Sequence, residues 1–260
     1  MPQPLPPRED LYMKEPIKLG PRSTFTIPFL PDGKFDLMAP ESLRIKTSKP
    51  GEPEQSVRLK ETAYTSTEWR VSADGTRLER DYKFTEKQVS MHVLFEAHLD
   101  YVDFKLTLKN DSADTKKELR HFTCQGCGSP YFYNHELTTT YIVTDAGPQR
   151  LIDCVNFDRA HPLFPGWEIV PAGPARTPGA VVARFPFVCT VSADGKWVRA
   201  VASPVANSGA SNGNYCCLHL NNNQWMELKP GEDNTSLIRY YFLRGGVAEA
   251  LARYKADFEK

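Results

Sequence analysis

Two short segments concentrate residues able to do chemistry. Cys124-Gln125-Gly126-Cys127 places two thiols three positions apart, and Cys216-Cys217-Leu218-His219 adds two more with an imidazole. Thiolates and imidazoles at such spacings are the ligands zinc takes, in closed structural sites or in three-ligand catalytic ones. Strand geometry tests the idea. If Tyr215–Leu220 is extended, alternate side chains leave on opposite faces, so Cys216 goes with Leu218 and Leu220, and Cys217 with Tyr215, His219 and Asn221. The two adjacent cysteines then reach one ion only through a bulge. The same alternation separates Cys124 from His121. No cofactor is therefore favoured. A divalent metal is left open, with His219, His121 and Cys217 as the ligands to expect.

The row containing His219 is the more informative object. Tyr215, Cys217, His219 and Asn221 stand at two-residue spacing, beside an Asn-rich segment that includes Asn214 and beside Trp225. A second cluster, Tyr131-Phe132-Tyr133-Asn134-His135-Glu136, follows the cysteine turn. Aromatic rings stack on the apolar faces of pyranoses, while amides and guanidinium groups take hydroxyls and carboxylates. A saccharide would suit such a face. The expected binding residues are Tyr131, Tyr133, Asn134, Asn214, Asn221, Trp225, Arg159 and Trp167. His219, Tyr215 and His135 are the expected acid–base residues, since an imidazole and a phenol of tuned pKa can move protons in opposite directions. The plainer alternative makes His219 a hydrogen-bonded sheet residue and the rings rim packing. Glu136, Asp153, Asp158, Glu168 and Glu227 offer carboxylates for glycoside hydrolysis, but the sequence alone pairs no two of them.

Other chemistries lack their signatures. The chain has no His-Glu-x-x-His, no Gly-x-x-x-x-Gly-Lys and no His-x-His pair. Gly209-Ala210-Ser211-Asn212-Gly213 matches Gly-x-Ser-x-Gly, yet that serine acts only from a strand–elbow–helix, and the residues that follow read as strand. Lys plus Arg and Asp plus Glu both number 32, so there is no basic surplus to favour nucleic acid or an anionic membrane. No apolar run approaches the ~18 residues of a membrane span. The proline-rich start has no leader-like apolar core, so the chain reads as cytoplasmic, or as secreted once a leader is gone. In a chain of this size the six cysteines are expected as free thiols.

The elements that must position these residues are mostly strands. Val89, Met91, Val93, Phe95 and Ala97 are apolar at every second position, as are Val102, Phe104, Leu106 and Leu108. Strict period two means one face in a core and one turned out. Asp74-Gly75 and Asp194-Gly195 mark hairpin turns, and Val71–Gly75 recurs as Val191–Gly195, either a record of two related halves or, more simply, hairpin turns converging on the same residues. Residues 204–214 and 156–180 read as long loops, the places where binding usually sits. Val247, Leu251, Tyr254 and Phe258 form the one helical stripe. The prediction is all-β: residues 1–22 as an extended proline-rich arm, then residues 23–260 as a single antiparallel β-sandwich or jelly-roll, closed by helix 247–258.

Several pieces carry a resemblance. They are a strand ending Leu108-Lys109-Asn110-Asp111-Ser112, the Cys124–Phe132 turn, Cys216-Cys217-Leu218-His219, and a Pro230-Gly231-Glu232 strand leading to a helix that ends Tyr254-Lys255-Ala256-Asp257-Phe258. Together they cover less than half the chain. They resemble bacterial β-sandwich proteins in the style of the galactose-mutarotase-like and polysaccharide-lyase sandwiches. The resemblance implies a sandwich fold and leans toward carbohydrate. Three functions follow as expectations: a lyase, epimerase or hydrolase acting on a saccharide at the concave face; a non-catalytic module binding saccharide or protein; or a metal-dependent enzyme using His219 with His121 or His135.

Overall fold

Period-two alternation builds the best-ordered part of the molecule. In a computed structural model, Val89–Ala97 alternates buried and half-buried residues without a break. The model describes residues 5–30, 33–45, 56–58, 64–154, 166–169, 181–212, 216–221 and 226–259. The strands of the first half are β1 (Lys18–Gly20), β2 (Thr24–Thr26), β3 (Lys34–Ile45), β4 (Ser56–Arg58), β5 (Thr65–Ser66), β6 (Arg70–Val71), β7 (Arg77–Phe84), β8 (Val89–Ala97), β9 (Tyr101–Asn110) and β10 (Lys116–Gln125). The second half contributes β11 (Thr140–Thr144), β12 (Gly147–Arg150), β13 (Gly166–Ile169), β14 (Val182–Ala183), β15 (Phe187–Val191), β16 (Trp197–Ala202), β17 (Ser208–Asn212), β18 (Cys217–Asn221), β19 (Met226–Leu228) and β20 (Asp233–Arg244). Among the described residues two α-helices, α1 (Leu151–Cys154) and α2 (Val247–Phe258), and four short 3-10 turns complete the set.

The strands form two sheets. The first runs β1-β2-β3-β10-β18-β17-β13-β14, with β4 on β3 and β19 on β10. The second runs β12-β11-β15-β16-β20-β9-β8-β7-β5, with β6 on β7. Phe25, Phe35, Leu218 and Leu220 of the first sheet share one buried cluster with Val93, Phe95, Phe104 and Leu106 of the second. That cluster is the sandwich interior, and the sandwich read from the sequence is what forms, antiparallel except where β13 meets β14.

Helix α2 covers the outer face of the second sheet. Ala250 and Tyr254 pack with Phe187, Cys189, Val198, Ala200 and Tyr241, while Val247, Leu251 and Phe258 flank them. A polar clamp fixes the helix. Arg239 of β20 bonds Asp103 through Nε (2.6 Å) and Nη2 (2.8 Å), and Asp257 through Nη1 (2.8 Å). Asp257 also accepts from the Tyr241 hydroxyl at 2.7 Å and from Arg253 at 3.1 Å. The outer face of the first sheet carries no such helix among the described residues.

The N-terminal arm is stitched to both sheets. Its strand β1 pairs with β2, while the Leu19 N–H reaches the carbonyl of Gly75 (2.7 Å) and that of Ile17 reaches His98 (2.9 Å). Among the described residues its prolines leave it an edge strand and 3-10 turns at Glu9–Leu11 and Pro21–Ser23. Tyr12 and Phe29 both pack on Trp197.

The repeated pentapeptide builds the same turn twice. In each copy the serine hydroxyl bonds the aspartate (Ser72–Asp74 2.5 Å; Ser192–Asp194 2.6 Å) and the glycine N–H returns to the serine carbonyl. Gly75 and Gly195 take positive φ, 70° and 73°, which is why glycine follows aspartate there.

Two loop readings change. Ser208–Asn212 is a strand inside the first sheet, between β18 and β13. Its Ser, Gly, Ala and Asn side chains carry no hydrophobic alternation, so the cross-strand ladder alone reveals it. Gly166–Ile169 is likewise a strand. The four-residue helix α1 was not foreseen, being too short to show a period.

Asn110 ends β9 fully buried. Its Nδ2 donates to the carbonyls of Asp114 (2.8 Å) and Leu228 (2.9 Å), and its Oδ1 accepts from the Ser112 N–H (3.0 Å) and hydroxyl (2.7 Å). Asn110→Ala strands these groups in the interior. A loss of about 1–3 kcal/mol in urea unfolding is expected, while Asp111→Ala, exposed next door, leaves stability nearly unchanged.

Candidate functional site

One register pair places the chemistry. Strands β10 and β18 are antiparallel with Gln125 opposite Leu218, which sets Cys124 opposite His219. Leu218 and Leu220 point into the sandwich interior, so Cys217, His219 and Cys124 lie on the other face, the outer face of the first sheet. All three are buried, and their ligand-type atoms (two Sγ and an imidazole nitrogen) lie within 4.8 Å of one another. Ala210 of β17 stands opposite His219, a small neighbour beside the ring.

The imidazole is oriented by the backbone. His219 Nδ1 lies 3.1 Å from the carbonyl of Thr123, and a carbonyl only accepts, so Nδ1 carries the hydrogen and Nε2 is the basic nitrogen. Further bonds tie the strands around it: the Ser211 hydroxyl donates to the Cys217 carbonyl at 2.8 Å, and Asn221 Oδ1 accepts from the Thr123 N–H at 3.3 Å. Ser211 therefore sits mid-strand, fully buried, and serves the sheet; no nucleophile elbow forms around it.

The electrostatics favour an anion at Cys217. The hydrogen bond from Cys124 holds the Cys217 thiol well below the usual thiol range, against the opposing effect of burial, with His219 and Arg199 adding to the lowering. Arg199 is fully buried in the sandwich and donates to the Cys216 carbonyl. Its Nε and Nη1 have no hydrogen-bond partner among the described residues. A guanidinium so placed stabilises negative charge on nearby sulfur.

Cys216 behaves differently from the strand reading. It precedes β18 at φ 49°, in the left-handed region, so the alternation that grouped it with Leu218 stops at Cys217. Its Sγ accepts from the Asn134 N–H (3.1 Å) and lies 3.8 Å from His135 Nδ1. Burial pushes this thiol up. The contact docks the 133–136 segment at the head of the strand that carries Cys217 and His219.

The predicted residues divide accordingly. His219 and Cys217 come together, with Cys124 as the third member. His135 lies at Cys216, exposed, its ring 5.6 Å from that of Tyr133. Tyr131 points elsewhere, its hydroxyl on Asp194. Asn134 and Asn221 are buried and hold backbone and threonine groups of the fold. Tyr215, Asn214, Trp225 and Arg159 lie outside the described residues, and of His121 and Trp167 only the backbone, in β10 and β13, is described. None of the six cysteines is joined in a disulfide. Cys124 is the member that sequence reasoning left out, having split it only from His121; the Cys-x-x-Cys spacing was its signal, but its partner strand lies far along the chain.

No family model matches the chain, and no curated protein matches it in sequence. Solved structures do. The Slr1438 protein from Synechocystis sp. PCC 6803 superposes with a TM-score of 0.53 at 9% identity, over 93% of this chain and 96% of that one. A galactose mutarotase related enzyme from Lactobacillus acidophilus gives 0.49 at 10% identity, covering 82% and 84%. A putative aldose 1-epimerase from Escherichia coli K12 gives 0.45 at 11%, covering 88% and 99%. At these identities the first likeness speaks for a shared fold and not for an activity.

Proposed function

We propose that the outer face of the first sheet is a small-molecule site of the saccharide class, entered beside Tyr133 and His135. The observation that carries this reading is the exposed ring pair: Tyr133 is 43% exposed and stands against His135, directly over the start of the strand that bears His219. An exposed phenol ring offers a pyranose an apolar stacking surface and a polar tip. Exposed His135 then exchanges protons with the substrate, and Glu136, exposed next to it, supplies a carboxylate.

The reading is checked by calorimetry against galactose, glucose, their uronic acids and their oligomers. Tyr133→Ala is expected to weaken binding by up to about tenfold, the worth of one stacking contact of ~0.5–1.5 kcal/mol. His135→Ala is expected to leave binding nearly intact and to lower turnover by roughly 10²–10⁴-fold. Absence of binding across the panel overturns the proposal. Binding without turnover favours the second reading, a non-catalytic module, which the burial of His219 (5% exposed) supports.

A further inference from the structure

We propose that Cys124, Cys217 and His219 bind one soft divalent cation of the zinc class, as its three protein ligands among the described residues. The proposal stands apart from the saccharide reading and needs no sugar for its test.

Geometry comes first. The three donor atoms come from two neighbouring strands and lie within 4.8 Å of one another. Bonds of about 2.3 Å to sulfur and 2.0 Å to nitrogen put tetrahedral ligand atoms roughly 3.5–3.8 Å apart, so side-chain rotation alone tightens the group onto an ion. Both strands are held rigidly at this point by Ser211 on the Cys217 carbonyl and Asn221 on the Thr123 N–H.

The ring is already in a ligand's pose. With Nδ1 on the Thr123 carbonyl at 3.1 Å, the lone pair sits on Nε2. A backbone carbonyl on the other nitrogen is the usual outer partner of a metal-bound histidine, fixing the tautomer and raising ligand basicity.

The donor set chooses the metal. Among the described residues it is two sulfurs and an imidazole, which suit zinc and its softer neighbours rather than magnesium or calcium.

The test uses the full chain, reduced, stripped with a chelator and titrated with cobalt(II), then with zinc against a chromophoric chelator. One equivalent of cobalt is expected, with the sulfur-to-cobalt charge-transfer band of thiolate ligation, displaced by one equivalent of zinc. Zinc is expected to slow alkylation of Cys124 and Cys217, read by mass spectrometry of peptides from the unmutated protein. Cys124→Ser and His219→Ala should each weaken zinc binding by more than the roughly 10–100-fold that loss of an outer partner costs. Cys189→Ser, buried under helix α2, should leave it unchanged.

Four outcomes overturn the proposal: no charge-transfer band, binding unaltered by Cys124→Ser and His219→Ala, no protection of Cys124 and Cys217 from alkylation, or a Cys124–Cys217 disulfide that re-forms in the presence of zinc. The alkylation measurement needs no variant, so it decides the matter even where a substitution unfolds the chain.

Discussion

Replacing Arg239 with methionine is expected to lower the unfolding free energy by about 3–5 kcal/mol, the cost of removing one partner from a mostly buried ion network. Arg239 is the hub between β9, β20 and α2. Asp103 receives two of its hydrogen bonds and Asp257 a third, and its guanidinium lies 4.1 Å from the Tyr101 ring centroid and 5.3 Å from that of Phe258. Methionine keeps some of the packing but leaves Asp103, 8% exposed at its side chain, without its bidentate partner. Arg239→Lys restores charge and not the planar fork, so most of the loss should remain. Urea unfolding of the three proteins at one pH reads the difference.

The same network sets a pH dependence. Burial raises the Asp257 carboxyl, but the hydrogen bonds of Tyr241 and Arg239 outweigh it and hold it below the ordinary range. A carboxyl depressed on folding adds stability above its unfolded value, about 3.9. That stability is lost as pH falls through the folded value. The gap between the unmutated chain and Asp257→Asn should therefore be widest near neutrality and close as the pH is taken below ~4. A gap that holds constant into acid would mean that packing, and not charge, fastens α2.

Trp197→Ala is expected to cost about 3–5 kcal/mol and to loosen the N-terminal arm with it. Trp197 is 1% exposed, stacked on Phe29 at 5.0 Å and met edge-on by Tyr12 at 5.2 Å. Tyr12 is held from the other side by the Arg244 N–H on its hydroxyl. A cavity under two aromatic rings removes what orders them, so proteolysis near residues 12–17 should accelerate in step with the stability loss. A destabilised protein whose arm resists cleavage would show that β1 and its bonds to His98 and Gly75 suffice to hold the arm.

The framework of the sandwich was legible because its causes are local. Val89–Ala97 and Val102–Leu108 state their inward faces at every second residue, Asp74-Gly75 and Asp194-Gly195 state their turns, and Tyr254 stands in the stripe that meets the second sheet. The strand Ser208–Asn212 was not legible, since Ser, Gly and Ala carry no period and its identity comes from its neighbours β13 and β18. Two of the three members of the candidate site could be read: Cys217 and His219 share a face by alternation alone. Cys124 joins them through a register between strands that no local pattern reports, and the left-handed turn at Cys216 shows only in the backbone.

That register has a kinetic meaning. Gln125 and Leu218 are 93 positions apart, whereas β7, β8 and β9 are consecutive hairpin strands. Closing so long a loop costs entropy before any contact repays it, so distant pairings form late. The hairpins of the second sheet can gather early, and the thiols and imidazole meet only when the first sheet zips shut. Until then Cys124 and Cys217 are separate, solvated side chains on a half-made protein, open to the thiol chemistry of whatever compartment the chain folds in.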